Sequence, residues 1–289
     1  MFSIPGLTFE QGNGGLTRAV VSSPIASGEL FLQGAHVSSW SPTGHRPVLW
    51  LSQKSNYEKE KPIRGGVPIC FPWFGTNLND STAPAHGAAR LIDWQVIATD
   101  LKKDGAVEIN LQGLVDPFVL SYRVEFGRGL KLTLKAELSA NATSRQAFED
   151  ALHTYFAVSD IRSVTIAGLE NTAFIDKVEG ALLKPASGAP IEFSGETDRV
   201  YVNARSDCIL IDNDWKRVIR VAKSGSVSTV VWNPWIDKSK RMSDFGDDEW
   251  PKMVCIETAN VAGGKIELSP GESHSTTAII SVETQEKTI

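Results

Sequence analysis

The sequence predicts an all-β fold, a sandwich or barrel built from many short strands. Apolar segments of strand length, alternating or continuous, recur at roughly 8–12-residue spacing between Gly, Pro, Asn and Asp. No amphipathic pattern runs longer than about three helical turns. No Pro/Ser-rich linker, compositional break or internal repeat divides the chain, so residues 1–289 are expected to form a single domain.

In chain order, the first half offers candidate strands at 16–21, 30–33, 48–51, 94–98, 107–111, 121–126 and 131–138. The last of these alternates cleanly, Lys131-Leu-Thr-Leu-Lys-Ala-Glu-Leu138, as a strand with one wet face must. The second half adds 151–158, 164–167, 199–202, 208–211, 217–221, 227–232, 253–258 and 276–282. Segments 54–61 and 243–250 are expected to hold short helical turns. Four stretches break the strand rhythm and collect unusual residues: 62–75, 83–90, 192–203 and 232–250. Loops held by a β scaffold are where function concentrates. Residues 284–289 are expected to be disordered.

Composition narrows the function classes. A hydrophobic content of 42% with 22% charged residues is that of an ordinary soluble globular protein. A formal net charge of −5 gives no general attraction for nucleic acid or an anionic membrane, so neither is expected as a partner. Any phosphate bound here needs a local basic cluster. The three cysteines (Cys70, Cys208, Cys255) lack paired spacing and sit among apolar neighbours, which reads as reduced thiols in a cytoplasmic protein. The N-terminal segment lacks the basic-then-apolar pattern of a secretion signal, and no apolar run reaches membrane-span length.

Two residues stand out against this background. Glu257 lies in Met253-Val-Cys-Ile-Glu-Thr-Ala259, where apolar residues on both parities predict a strand buried on both faces. Burying an ionised carboxylate without partners costs several kcal/mol or more, so it must be hydrogen-bonded, paired or protonated. His153 interrupts Ala151-Leu-His-Thr-Tyr-Phe-Ala-Val158, with alternation placing His153, Tyr155 and Ala157 on one face. A buried Glu and a His on two sheet segments make a plausible general acid and base. Structural readings compete: a buried salt bridge from Glu257 to an arginine, and a hydrogen-bonded core histidine.

Arg64 precedes a Gly-Gly pair in a loop rich in Pro and Gly, and His86-Gly-Ala-Ala-Arg90 sets a His and an Arg beside a Gly. Two arginines on rigid loops can grip a phosphate bidentately, or can each pair with a carboxylate of this acidic protein. Asp198 can accept sugar hydroxyls or stabilise a turn. Phe71, Trp73, Phe74, Trp232 and Trp235 lie in or near the irregular stretches, suited to stacking on a pyranose or to filling the core. The five histidines are scattered without ligand spacing, so no metal is expected. No nucleotide-binding glycine motif or nucleophile elbow occurs, and no cofactor is expected.

Taken together, Ile63-Arg-Gly-Gly-Val-Pro-Ile-Cys-Phe-Pro-Trp-Phe-Gly75, Ala85-His-Gly-Ala-Ala-Arg90, Ala151-Leu-His-Thr-Tyr-Phe156, Thr197-Asp-Arg-Val-Tyr201 and Val254-Cys-Ile-Glu-Thr-Ala259 resemble the hexose-6-phosphate mutarotases. These are the glucose-6-phosphate 1-epimerases of the aldose 1-epimerase (galactose mutarotase-like) superfamily. Leu32-Gln-Gly-Ala-His36 and Val231-Trp-Asn-Pro234 fit the same pattern, in the same order over nearly the whole chain. The resemblance implies a large twisted β-sandwich with its active site in a groove on one sheet. It implies His153 as catalytic acid and Glu257 as catalytic base, with His86 near the sugar ring oxygen and Asp198 on its hydroxyls. Arg64 and Arg90 would face the phosphate. One departure is Ala88, where relatives commonly carry a bulky aromatic.

The implied activity is anomer interconversion of a hexose 6-phosphate without a cofactor, by a protein expected to be monomeric. A non-catalytic carbohydrate-binding or regulatory sandwich, a mutarotase for unphosphorylated aldoses and a glycosidase using Asp198 as its second carboxylate remain alternatives.

Overall fold

The computed structural model describes residues 3–284, and these are overwhelmingly β. Two eight-stranded antiparallel sheets dominate, joined by a four-stranded and a two-stranded sheet. The groove sheet runs Leu182–Lys184, Phe174–Asp176, Thr197–Val202, Ser228–Asn233, Met253–Asn260, Asp150–Leu152 and Ile69–Cys70, with Tyr155–Ala157 also pairing to Met253–Asn260. The backing sheet runs Val164–Ala167, Cys208–Asp212, Arg217–Ser224, Ser273–Thr284, Gly129–Leu138, Phe118–Phe126, Val107–Val115 and Gln95–Leu101. The N-terminal sheet is a meander of Leu7–Gln11, Thr17–Ser22, Ala26–Phe31 and His36–Pro42. This is the large β-sandwich expected.

Alternation decides which face of the backing sheet is wet. In Gly129–Leu138, Leu130, Leu132, Leu134, Ala136 and Leu138 are buried, while Lys131 and Glu137 are exposed. Met253–Asn260 behaves differently, with all eight residues buried, as apolar residues on both parities require. One face of the groove sheet, with Ile69, Leu152, Phe156, Val231 and Ile256, joins the main core. On the opposite face a smaller apolar cluster of Cys70, Ala151, Val200, Val230, Ala259 and Val261 is buried beneath Phe74, Ile175 and Ala262.

Several local expectations need correction. The predicted strand 151–158 is two strands, Asp150–Leu152 and Tyr155–Ala157, broken at His153 and Thr154. Segment 48–51 makes only isolated bridges at Leu49 and Leu51. Segment 54–61 forms turns and no helix, and 243–250 is turns leading into a short 3-10 helix at Trp250–Lys252. The stretch 192–203 is irregular only at its start, because Thr197–Val202 is a central strand. Short or polar strands such as Leu7–Gln11, Gln146–Phe148 and Leu182–Lys184 carry little periodicity to read. Thr284 ends a strand, and residues 285–289 lie outside the described residues.

Gly87 shows how tightly the loops are drawn against the groove sheet. It adopts φ +75°, and a Cβ there would stand 2.0 Å from the Phe71 carbonyl oxygen and 2.3 Å from its carbon. Both the left-handed conformation and the missing side chain are needed. Gly87→Ala should therefore destabilise the fold by roughly 3 kcal/mol, measured as a lower denaturant midpoint at unchanged slope.

Candidate active site

Strand register brings the site together. Leu152 stands opposite Thr258 and Tyr155 opposite Cys255, so the register is unbroken across the gap and His153 faces Glu257. His153 Nε2 lies 3.3 Å from Glu257 Oε1, with both side chains buried. Further along the same face, Val230 pairs with Glu257, Trp232 with Cys255 and Asp198 with Trp232. Cross-strand pairs share a face, so Glu257, Trp232, Asp198, Tyr155 and His153 line one surface of the sheet. The interruption at His153 has a local cause: its N–H donates to the Pro68 carbonyl, and Tyr155 N–H donates to Gly66 in the same loop.

His86 arrives on a loop. Phe71 N–H donates to the His86 carbonyl, and His86 and Gly75 exchange two hydrogen bonds. One of these, from Gly75 N–H to Nδ1 at 3.2 Å, makes Nδ1 an acceptor, so the neutral ring carries its proton on Nε2. The ring meets His153 edge-on at 5.6 Å and Phe74 at 4.8 Å, while Cys70 Sγ sits 3.3 Å from Nδ1. His86 adopts φ +63°, a left-handed conformation uncommon for a residue with a side chain.

The two arginines occupy one side. Arg64 pairs with Asp244 at 3.1 Å and donates to the Tyr155 hydroxyl at 2.9 Å. Tyr155 in turn stacks on His153 with ring centroids 4.8 Å apart. The competing expectation of a carboxylate partner is thus met for Arg64, while its fork still edges the site. Arg90 donates to the Ala85 carbonyl, and its buried Nε has no partner among the described residues. Asp198 lies across the face between two lysines, 4.0 Å from Lys177 and 3.6 Å from Lys238.

The charges polarise this cluster. Burial raises Glu257 well above the ordinary carboxylate range, and Asp198 pushes it further while Lys177 opposes. Burial lowers His153 well below an ordinary imidazole, with His86, Arg64 and Arg90 adding to the effect. An empty site therefore favours a carboxylic acid beside a neutral imidazole, one proton shared by the pair. The buried Glu257 Oε2 and His153 Nδ1 have no hydrogen-bond partner among the described residues, and such orphaned atoms at a groove mark a place built for something else to bind.

Sequence reasoning singled out His153, Glu257, His86 and Asp198, and the structure gathers all four on one face. Arg64 and Arg90 border it. Tyr155, Asp244, Lys177 and Lys238 were missed: Asp244 and Lys177 lie on turns, Lys238 in the short helix Trp235–Ser239, and Tyr155 reads as a core aromatic. The arginine partner considered for Glu257 is replaced by His153. Of the aromatics, Phe74 and Trp232 flank His153, whereas Phe71 packs against Phe118 and Phe148 in the core and Trp235 against Trp250.

The chain resembles known proteins over most of its length. The sequence profile of the family described as "Aldose 1-epimerase" matches residues 25–281. A Cenchrus ciliaris protein provisionally named glucose-6-phosphate 1-epimerase is 36% identical over 259 residues, covering 84% of this chain and 78% of that one. A protein of Escherichia coli K12 bearing the same provisional name is 35% identical over 248 residues, covering 83% and 82%. A crystal structure from Salmonella typhimurium, provisionally named a mutarotase, aligns with TM-score 0.90 and 31% identity over 98% of this chain and 96% of that one.

Two histidines, the buried His36 of the N-terminal sheet and His86 of the site, should resist protonation. Burial, reinforced by Arg90, lowers both His36 and His86 to about 3. An unfolded histidine titrates near about 6.5, so these two favour the folded state above that pH and lose their contribution as pH falls toward 3. At pH 5 the imidazole carbon shifts of His36 and His86 should remain those of neutral rings, read by two-dimensional NMR. His36→Gln should make stability fall less steeply than in the unsubstituted protein between about pH 6.5 and pH 4.

Proposed function

We propose that this chain, which belongs to the aldose 1-epimerase family, interconverts the α and β anomers of a hexose 6-phosphate, with glucose 6-phosphate the favoured ester. The observation that carries this reading is the polarity of the site: His153 faces Glu257, with the arginines on the histidine side and Asp198 on the glutamate side. A pyranose has the same polarity. Its ring oxygen adjoins C5, which bears the C6 phosphate, and C1 adjoins the C2 hydroxyl. An acid at the ring oxygen belongs beside the phosphate-binding cations, and a base at O1 beside the group that binds hydroxyls.

In the proposed reaction Glu257 carboxylate takes the proton from the C1 hydroxyl as His153 imidazolium gives one to the ring oxygen. The C1–O5 bond breaks and C1 becomes an aldehyde, leaving a glutamic acid and a neutral imidazole. Rotation about C1–C2 presents the other carbonyl face. O5 then attacks C1, returns its proton to His153, and Glu257 protonates the former carbonyl oxygen. No proton is gained or lost over the cycle, and the open-chain stage coincides with the protonation state that the empty groove prefers.

The phosphate dianion sets the pair for the first step. Arg64 and Arg90 disfavour an imidazolium at His153 in the empty site. An anion placed on those arginines offsets their field and draws the shared proton toward His153. Burial also destabilises the Arg90 cation, a deficit that a phosphate reduces. His86, with its proton on Nε2, donates to a sugar oxygen. Each general acid or base typically contributes about 10²–10⁴ in rate, enough for a reaction that already proceeds in water.

The same reading takes the chain as one domain, monomeric and cytoplasmic, with a sugar phosphate as partner and no nucleic acid or membrane bound. Among the described residues no helix is long and apolar enough to cross a membrane. The test follows anomer exchange of glucose 6-phosphate by NMR, with binding measured by calorimetry. Glu257→Gln should lower exchange by at least about 100-fold while leaving affinity within a few fold. Arg90→Ala should weaken glucose 6-phosphate by a few kcal/mol and free glucose hardly at all. Unchanged exchange in the first variant, or equal losses in the second, contradicts the assignment.

A further inference from the structure

Lys177 is the lysine at the site whose carboxylate partner is most distant. Arg64 has Asp244 at 3.1 Å, Lys238 has Glu196 at 2.8 Å and Lys184 has Glu179 at 2.6 Å. Among the described residues the one carboxylate within 4.0 Å of Lys177 is Asp198, at 4.0 Å, too far for a hydrogen bond. Its ammonium stands 5.1 Å over the ring of Phe74, which itself packs on His86 and His153. The placement is built into the backbone. Lys177 N–H donates to the Asp198 carbonyl at 2.8 Å, and Asp176 Oδ1 accepts from Val178 and Glu179 to fix the turn that follows.

We propose that Lys177 binds substrate, bracketing with Asp198 the secondary hydroxyl next to the anomeric carbon, and so selects hexose phosphates that carry a C2 hydroxyl. A hydroxyl oxygen placed about 2.8 Å from each group spans the 4.0 Å gap, accepting from the ammonium and donating to the carboxylate. A donor and an acceptor held just too far apart to satisfy each other suit a group that is both. The assignment to C2 rests on the anomer-exchange reading above: Asp198 pairs with Trp232, two positions along the strand from the Val230 that pairs with Glu257, the base at O1, and C2 is the next carbon along the ring. The two arginines at the opposite side leave this end to the sugar's hydroxyls.

Paired measurements on glucose 6-phosphate and 2-deoxyglucose 6-phosphate test this, reading both dissociation constants by calorimetry and anomer exchange by NMR. The unsubstituted protein should favour glucose 6-phosphate by about tenfold or more, because a site aimed at a hydroxyl is left unsatisfied without one. Lys177→Met should collapse that preference to within about twofold, and Lys177→Arg should restore most of it. Equal losses on both esters in Lys177→Met would overturn the proposal, since they signify a change in the field at Glu257 alone. A preference that survives the substitution would overturn it too. Binding of both esters without exchange would contradict the catalytic reading, and the dissociation-constant ratios would still decide the role of Lys177.

Discussion

The site depends on one contact, the approach of Glu257 to His153 inside a strand with no solvated face. A carboxylate with 1% of its surface exposed is tolerable only if it is neutral or has a partner. The break between Asp150–Leu152 and Tyr155–Ala157 supplies that partner without losing register. The loop carrying Gly66 and Pro68 occupies the vacated hydrogen-bonding positions, so the interruption leaves the neighbouring backbone groups satisfied. Its glycines allow the approach: Gly66, at φ +59°, would place a Cβ 2.3 Å from the Val37 carbonyl oxygen.

Around this pair the fold arranges charge by distance along the sheet. The same burial pushes Glu257 and His153 in opposite directions, favouring the neutral form of each, a carboxylic acid with its proton beside an imidazole. A low-dielectric setting makes the position of that proton sensitive to charges nearby, which is what a substrate bearing a dianion at one end supplies. The arginine side is itself held in place: Asp244 and Tyr155 fix the Arg64 fork, and Tyr155 transmits that position to His153 by stacking. Pre-organisation of this kind lowers the entropy lost on binding.

Much of this was legible in the chain. The all-β class followed from strand-length periodicity. Glu257 was visible as the single charge in a stretch apolar on both parities, a pattern with few structural uses. His153 was weaker alone and gained weight from Glu257 and from the family resemblance. The pairing itself was not readable, because Met253–Asn260 sits between Ser228–Asn233 and strands about a hundred residues earlier, and nothing local encodes that register. The same applies to Asp244, which meets Arg64 from 180 positions away, and to Lys177, whose place follows from the pairing of Asp176 with Arg199. Alternation persists through His153 and Thr154 and predicts one continuous strand over 151–158, while the loop that takes over their backbone bonds leaves no trace in the pattern.

The most direct test of the central claim locates the shared proton. Nitrogen-15 NMR of His153 should be recorded in the empty protein and with 1,5-anhydroglucitol 6-phosphate, which keeps the ring oxygen and phosphate but cannot open. The account predicts a neutral imidazole near pH 7 in the empty groove and an imidazolium in the complex, with Glu257 losing its proton in the same step. A His153 ring that stays neutral with the ligand bound would contradict the account, because the acid required at the ring oxygen would be missing.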